Sequence, residues 1–302
     1  MGTMTESKWR HSVARFQQQG LPVAVMLAAL FVIWYFAAWA LNAPGAMERV
    51  MPQDAPWTWQ DLLSATMEMQ RPLMPAPHQV ALDLWSSLVD WPLDSPRNLL
   101  FHVAVTAEST LWGFVMGTLL GLLLSVAIVH SRTLDRALLP WIVASQTVPV
   151  LAIAPIVLVI LGSLGFEGVA PKAVIAMYLC FFPVTVAMVQ GLRSPQRIET
   201  EMLHTYAASR WQALWLLRLP AALPFLFPAL RVGIAAGLVG AMVAELPTGA
   251  QAGLGARLLT GSYYGNTVQI WSALVMSALL GLTLTSAVAG VERLVLRHRS
   301  QG

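Results

Sequence analysis

The sequence predicts an all-α integral membrane protein with six transmembrane helices, both termini in the cytoplasm. Three observations carry that prediction. Hydrophobic residues fill 57% of the 302 positions and Asp, Glu, Lys and Arg only 11%, against roughly a quarter charged in soluble chains. That is too little charge to coat a globule of this length. The charges present leave apolar gaps of about 20 residues, enough to cross ~30 Å of hydrocarbon. Most basic residues flank one side of those gaps, which sets the orientation.

The first span covers residues 21–41, behind a short basic segment, 1–20. A secretory signal peptide is the alternative there, but the apolar run exceeds the usual core of about 7–15 residues. The second span runs from Leu111 to Val129, between Glu108 and Arg132. The third runs from Leu138 to Leu161, in a charge-free interval that ends at Glu167. The fourth covers Ala173 to Val189 and the sixth Ile270 to Val291. The fifth lies between Arg218 and Arg257. It opens on Pro220, Pro224 and Pro228, carries Arg231 and stays apolar through Val243. Proline breaks helix interiors, so a regular membrane helix is expected only after Pro228.

With the N-terminus inside, twelve basic residues fall on the cytoplasmic side: Lys8, Arg10, Arg15, Arg132, Arg136, Arg193, Arg197, Arg210, Arg218, Arg293, Arg297 and Arg299. Five fall outside (Arg49, Arg71, Arg97, Lys172 and Arg257), and Arg231 sits at the inner border of span five. The outer segment 42–100 is acidic. Val80, Ala81, Leu84, Leu88 and Val89 recur at helical spacing opposite Asp83, Ser86, Ser87 and Asp90. With Trp57, Trp59, Trp85 and Trp91 it reads as a cap on the outer membrane surface, or as a docking site for another protein.

The inner segment 191–220 is too long for a turn. Ser194-Pro195 offers a helix start, Ile198, Met202 and Leu203 share a stripe, and small residues follow at Ala207, Ala208 and Ser209. Trp211, Leu214, Trp215 and Arg218 form a second amphipathic stretch. Two short helices with an exposed hinge are expected. Spacing alone leaves open an inert amphipathic loop or a surface held by a cytoplasmic partner.

Several chemistries are excluded. One cysteine, Cys180, permits no intrachain disulfide and no cysteine-based zinc site. The two lysines, Lys8 and Lys172, lie outside any G-x-x-x-x-G-K-[ST] loop, so the chain has no P-loop for ATP. His11, His78, His102, His130, His204 and His298 show no i, i+4 pairing, and no metal site is expected. Gly113, Gly117 and Gly121 in span two, like Gly233, Gly237 and Gly240 in span five, suit close helix packing. The surplus positive charge lies on inner loops and gives no reason to expect nucleic acid. No Ser-His-Asp or paired-carboxylate arrangement is visible, so the chain is not read as an enzyme.

The inner segment resembles the permease subunits of bacterial binding-protein-dependent ABC importers, whose hallmark is E-A-A, three residues, G, nine residues, I-x-L-P. Glu201 takes the Glu position, Ala207 the Gly position and Leu217 the Ile position, and Leu219-Pro220 closes the motif without a gap. Met202 and Leu203 replace the two alanines. Ala207 matters only if that position needs φ > 0. From about Met74 onward the chain resembles the nitrate/sulfonate/taurine/bicarbonate branch, through MPAPHQV, Gly113-Phe114, VPVLAIAPIVLVILGSLG, LPAALPFLFPALRVG, Ala244-Glu245 and Gly253-Leu254-Gly255. Ile160-Leu161 stand where that branch has Trp-Phe.

The resemblance implies a permease core at 101–294 and a cytoplasmic tail at 295–302. It also implies an inner-membrane location in the lipid bilayer, a second permease chain and a periplasmic binding protein. Two ATPase subunits would bind ATP and Mg and grip the segment bearing Glu201, Ala207, Ser209, Leu217, Leu219 and Pro220. No cofactor is expected on this chain. Nitrate, sulfonates, bicarbonate and pyrimidine-type vitamin precursors remain open as cargo. An ion- or proton-coupled secondary carrier is the alternative; it would show more intramembrane ionisable residues and an internal repeat.

Five residues are candidates for the pathway. Glu245 lies fourteen residues after Arg231, about 21 Å along a helix, at a depth where a carboxylate is costly unless paired or wetted. It reads as a gate or as a paired structural acid. Gln146, Thr147, Pro149 and Pro155 interrupt span three, either exposing backbone to a cavity or kinking the helix for packing.

Overall fold

The computed structural model describes residues 21–49, 58–247 and 252–299. The expectations for residues 1–20, for Trp57 and for residues 300–302 lie outside them. Among the described residues all regular secondary structure is helical. The helices are α1 (Leu21–Arg49), α2 (Trp59–Met67), α3 (Pro77–Val89), α4 (Leu99–His130), α5 (Arg132–Ser145), α6 (Val150–Ser163), α7 (Val169–Leu192), α8 (Arg197–Thr205), α9 (Arg210–Ala213), α10 (Leu219–Ala244), α11 (Leu254–Tyr263) and α12 (Thr267–Arg299). Five stretches are long and apolar enough to cross a membrane: those in α1, α4, α7 and α12, and the continuous helix Arg210–Ala244.

The predicted third span is not a straight helix. It is the pair α5–α6, bent by 102°, so the count is five, or six if the pair spans. The bend falls where Pro149 removes a donor and restrains Val148 from the helical region. The chain turns there through Gln146 N–H to Val143 O (3.2 Å) and Thr147 N–H to Ala144 O (3.0 Å). The fifth span also differs from expectation: Pro220, Pro224 and Pro228 all lie inside helix. Their spacing of four stacks the losses, because the missing donors of Pro224 and Pro228 would have bonded the carbonyls of Pro220 and Pro224. Just upstream, Leu214–Arg218 forms a π-helical turn; its wider turn gives the Pro220 ring room against the preceding carbonyls.

The inner segment holds one separate short helix, not two. Helix α8 starts at Arg197, later than Ser194-Pro195 suggests, with Gln196 N–H donating to the Glu199 carboxylate (2.8 Å). The Ser194 hydroxyl instead caps the end of α7 through Gly191 O (2.8 Å). The second amphipathic stretch, from Arg210, runs unbroken into α10.

The chain divides into two compact units, the first formed by the described part of residues 1–86 with 261–272, the second by 87–260 with the described part of 273–302. In the first, Asn42 ties α1 to the segment before α3. Its Nδ2 donates to Met74 O (2.8 Å) and its Oδ1 accepts from Leu73 N–H (2.8 Å). Trp34 Nε1 donates to Pro75 O (2.9 Å) and its ring packs 4.9 Å from Trp271. Helix α2 is capped by Thr58, whose hydroxyl holds the exposed Asp61 carboxyl below the usual carboxylate range.

In the second unit α7 is the central helix. Gly113, Gly117 and Gly121 of α4 face Ala176, Cys180 and Val184 of α7, where an added Cβ would collide. Gly240 of α10 meets Ala176 from the other side, and Gly191 of α7 meets Ala222. The small residues therefore act as the sequence predicts, letting three helices approach closely. Cys180 is fully buried in this seam. Arg231 pairs with Glu292 of α12, which neutralises the one basic residue of α10.

Candidate functional site

Two constellations in the second unit carry Glu245 and the predicted residues of the inner segment. The first is the segment from Arg197 to Pro220. Helix α8 ends in a Schellman turn: Ala207 N–H donates to His204 O (3.0 Å) and Ala208 N–H to Leu203 O (3.1 Å). Ala207 sits at φ 52°, the only non-glycine with positive φ among the described residues. The left-handed geometry is therefore kept although the residue is alanine, at a cost of about 1 kcal/mol. Ser209 then starts the next helix, its N–H donating to Gln212 Oε1 (2.7 Å) and its hydroxyl accepting from Gln212 N–H (3.3 Å). Glu201 is exposed and bonded to Arg197 Nε at 2.7 Å, a pair of small energetic weight. Leu217 lies in the π-turn, and Leu219 and Pro220 open α10.

The root of the segment is anchored. Leu214, 2% exposed, packs in one cluster with Val184, Met188 and Leu192 of α7 and Ala222 of α10. Its outer surface is bare: Ile198, Met202, Tyr206, Trp211, Trp215 and Leu216 are each more than half exposed.

The second constellation surrounds Glu245, which is fully buried at the end of α10. Its carboxylate accepts from the Thr106 hydroxyl (3.0 Å) and from Gly255 N–H (2.8 Å), and Lys172 Nζ lies 3.7 Å away. Lys172 also donates to Ala252 O (3.1 Å). The Thr106 oxygen accepts from Leu254 N–H (2.8 Å). His102 completes the set: Nδ1 accepts from Gly253 N–H (3.0 Å) and Nε2 donates to Pro96 O (2.9 Å). These partners specify the neutral ring with its proton on Nε2. A Cβ on Gly253 or Gly255 would fall on the Glu245 side chain, and Gly253 has φ 124°. So α4, α7 and α10 together hold the 252–255 segment through His102, Thr106, Lys172 and Glu245. The arrangement joins three helices to the 252–255 segment through one buried carboxylate.

Sequence reasoning found Glu245 and the glycines but missed His102, Thr106 and Lys172. The i, i+4 spacing of His102 and Thr106 on one helix face was the available signal. Gln146, Thr147 and Pro149 come together at the α5–α6 bend and, with Pro155, are exposed. None of their described hydrogen bonds reaches Glu245. Beside Pro155, Ala154 is fully buried against Ile175 and Ala244.

Residues 114–300 match the family of binding-protein-dependent transport system inner membrane components. The chain belongs to that family. This permease is 34% identical over 225 residues to the riboflavin transport system permease protein RibX of Chloroflexus aurantiacus, covering 74% of this chain and 80% of the relative. It is 31% identical to the formylaminopyrimidine transport permease protein ThiX of Halalkalibacterium halodurans, over 79% and 91% of the two chains. The taurine transport system permease protein TauC of Escherichia coli is 25% identical over 76% and 82%. The chain is thus an ABC-importer permease and a multi-pass inner-membrane protein. Its relatives are transport subunits, as expected for a non-catalytic membrane component.

Proposed function

We propose that this permease forms the translocation pathway of an importer, pairs with a second copy, and converts the motion of separate ATPase subunits into access for a solute delivered by a binding protein. The observation that carries this is the segment from Glu201 to Pro220. Its left-handed turn at Ala207 and exposed apolar surface are built to be gripped, while Leu214 ties its root to α7 and α10. A rigid anchor below a bare handle transmits a pull. The exposed apolar face of α6 (Leu151, Ile156, Val159 and Ile160) suits the second copy. On this reading Glu245 is a structural clasp and not a gate, because it is enclosed and fully partnered.

The test is reconstitution of the permease with its ATPase and binding protein in proteoliposomes. ATP hydrolysis and uptake are read against a panel of riboflavin, a formylaminopyrimidine, taurine, an alkanesulfonate, nitrate and bicarbonate. One ligand class stimulating both together is expected. Uptake driven by an ion gradient without ATP would overturn the reading.

A further inference from the structure

We propose that the cleft between the end of α4 and the α8–α9 segment binds the phosphate of an anionic phospholipid headgroup. The cavity measures about 810 Å³ and is lined by residues 129–132 on one side and by Thr200, His204, Ser209, Arg210 and Arg218 on the other. Its size lies in the range of small-ligand sites, about 300–1,000 Å³.

Its charge is one-sided. Arg132, Arg210 and Arg218 reach it together with His130 and His204, and among the described residues no acidic one lines it. The described ion pairs join Lys172 to Glu245, Arg193 to Asp135, Arg197 to Glu201 and Arg231 to Glu292. Among the described residues, therefore, none of the three cleft arginines has a carboxylate partner. Asp135 and Glu201 pair with Arg193 and Arg197, and the Glu199 carboxylate accepts from Gln196 N–H. Three unpaired guanidiniums around one cavity call for an anion with several acceptor oxygens, and phosphate matches the guanidinium fork.

Position favours a lipid as the source. The cleft opens where the apolar helix α4 ends at His130 and beside the start of the helix Arg210–Ala244, and the end of an apolar span is where headgroups meet the protein. The His130 ring stacks on Trp211 at 5.0 Å, and its Nδ1 donates to Val126 O (3.0 Å), which fixes the two walls against each other. Basic pockets at the ends of transmembrane helices hold anionic headgroups in this way.

The experiment is native mass spectrometry of the permease–ATPase complex, extracted from bilayers that mix phosphatidylglycerol with phosphatidylcholine. Retention of phosphatidylglycerol and not phosphatidylcholine is expected. Each arginine exchanged for glutamine at 132 or 218 should lower retention about five-fold. Arg132→Gln alone, at an exposed position, should do so with an unchanged melting temperature, which separates the site from misfolding. Arg293→Gln, at a basic position outside the cleft, should retain the lipid. Equal retention in Arg132→Gln and the parent would overturn the proposal. So would complete displacement by glycerol 3-phosphate, which would assign the cleft to soluble phosphate compounds. Loss of the lipid when the ATPase joins the permease would assign it to that protein and overturn it equally.

Discussion

Lys172 Nζ lies 3.7 Å from Glu245 Oε1, with the acid fully buried and the lysine side chain 9% exposed. The pair sits 73 residues apart in sequence and joins α7 to the end of α10. Removing one partner from such a pair leaves a buried charge uncompensated, at a cost of about 3–5 kcal/mol. Glu245→Gln should therefore lower the thermal stability of the purified permease. Lys172→Met combined with Glu245→Gln should recover part of the loss, because neither charge then remains. Melting curves of the two single variants and the double variant measure the coupling. A Glu245→Gln protein as stable as the parent yet inactive in transport would refute the clasp and restore the gate.

The glycines of the clasp make a separate prediction. A methyl group at Gly255 would meet the Met242 carbonyl and the Glu245 side chain, and one at Gly253 would meet the carboxylate itself at φ 124°. Gly253→Ala combines overpacking with a disfavoured backbone, so a loss of about 2–3 kcal/mol or more is expected. Gly265→Ala also has positive φ, 64°, but nothing within 4 Å. It should cost only the backbone strain. Gly253→Ala should therefore lower the melting temperature more than Gly265→Ala, through both the contact with Glu245 and the more extreme φ.

At Ala207 the direction reverses. Glycine would relieve the left-handed strain of the Schellman turn, so Ala207→Gly should raise stability by up to about 1 kcal/mol. Ala207→Val, branched at Cβ and held at φ 52°, should lower it. If the segment is the handle for the ATPase, Ala207→Val should also insert normally yet show reduced ATPase-coupled uptake. Failure to insert would point to folding alone.

What the sequence disclosed follows from which forces are local. Apolar runs and glycine spacing are local, so α1, α4, α7 and α12 and the Gly113–Gly117–Gly121 seam were legible from residue types. The position of Ala207 was legible because the motif spacing held without a gap, but its left-handed turn was not, since alanine disfavours φ > 0. The bend at Gln146–Pro149 was half visible: a proline marks a break, but the 102° angle depends on what α5 and α6 each pack against. The prolines of α10 misled, because the rule that proline ends a helix is a statement about isolated helices. Here Ala222, Phe227 and Ala229 are buried along the same stretch, and packing outweighs the lost hydrogen bonds. The clasp was least legible. His102, Thr106, Lys172 and Glu245 lie up to 143 residues apart, and no local pattern joins them.

The seam between α4 and α7 gives the sharpest contrast among substitutions of one type. Gly117 faces Cys180, with its Cβ 2.7 Å and Sγ 3.2 Å from where a new Cβ would sit. Neither atom belongs to a flexible chain end, since Cys180 is fully buried between α4 and α10. Gly117→Ala must push the helices apart and forfeit packing along the whole interface, for a loss of about 1–3 kcal/mol. Gly162 in α6 has nothing within 4 Å of the same position, so Gly162→Ala gains helix propensity without a clash, about 0.5–1 kcal/mol. One methyl group added at two glycines should thus move the melting temperature in opposite directions. Equal shifts at both sites would mean that close approach of α4 to α7 does not hold the second unit together.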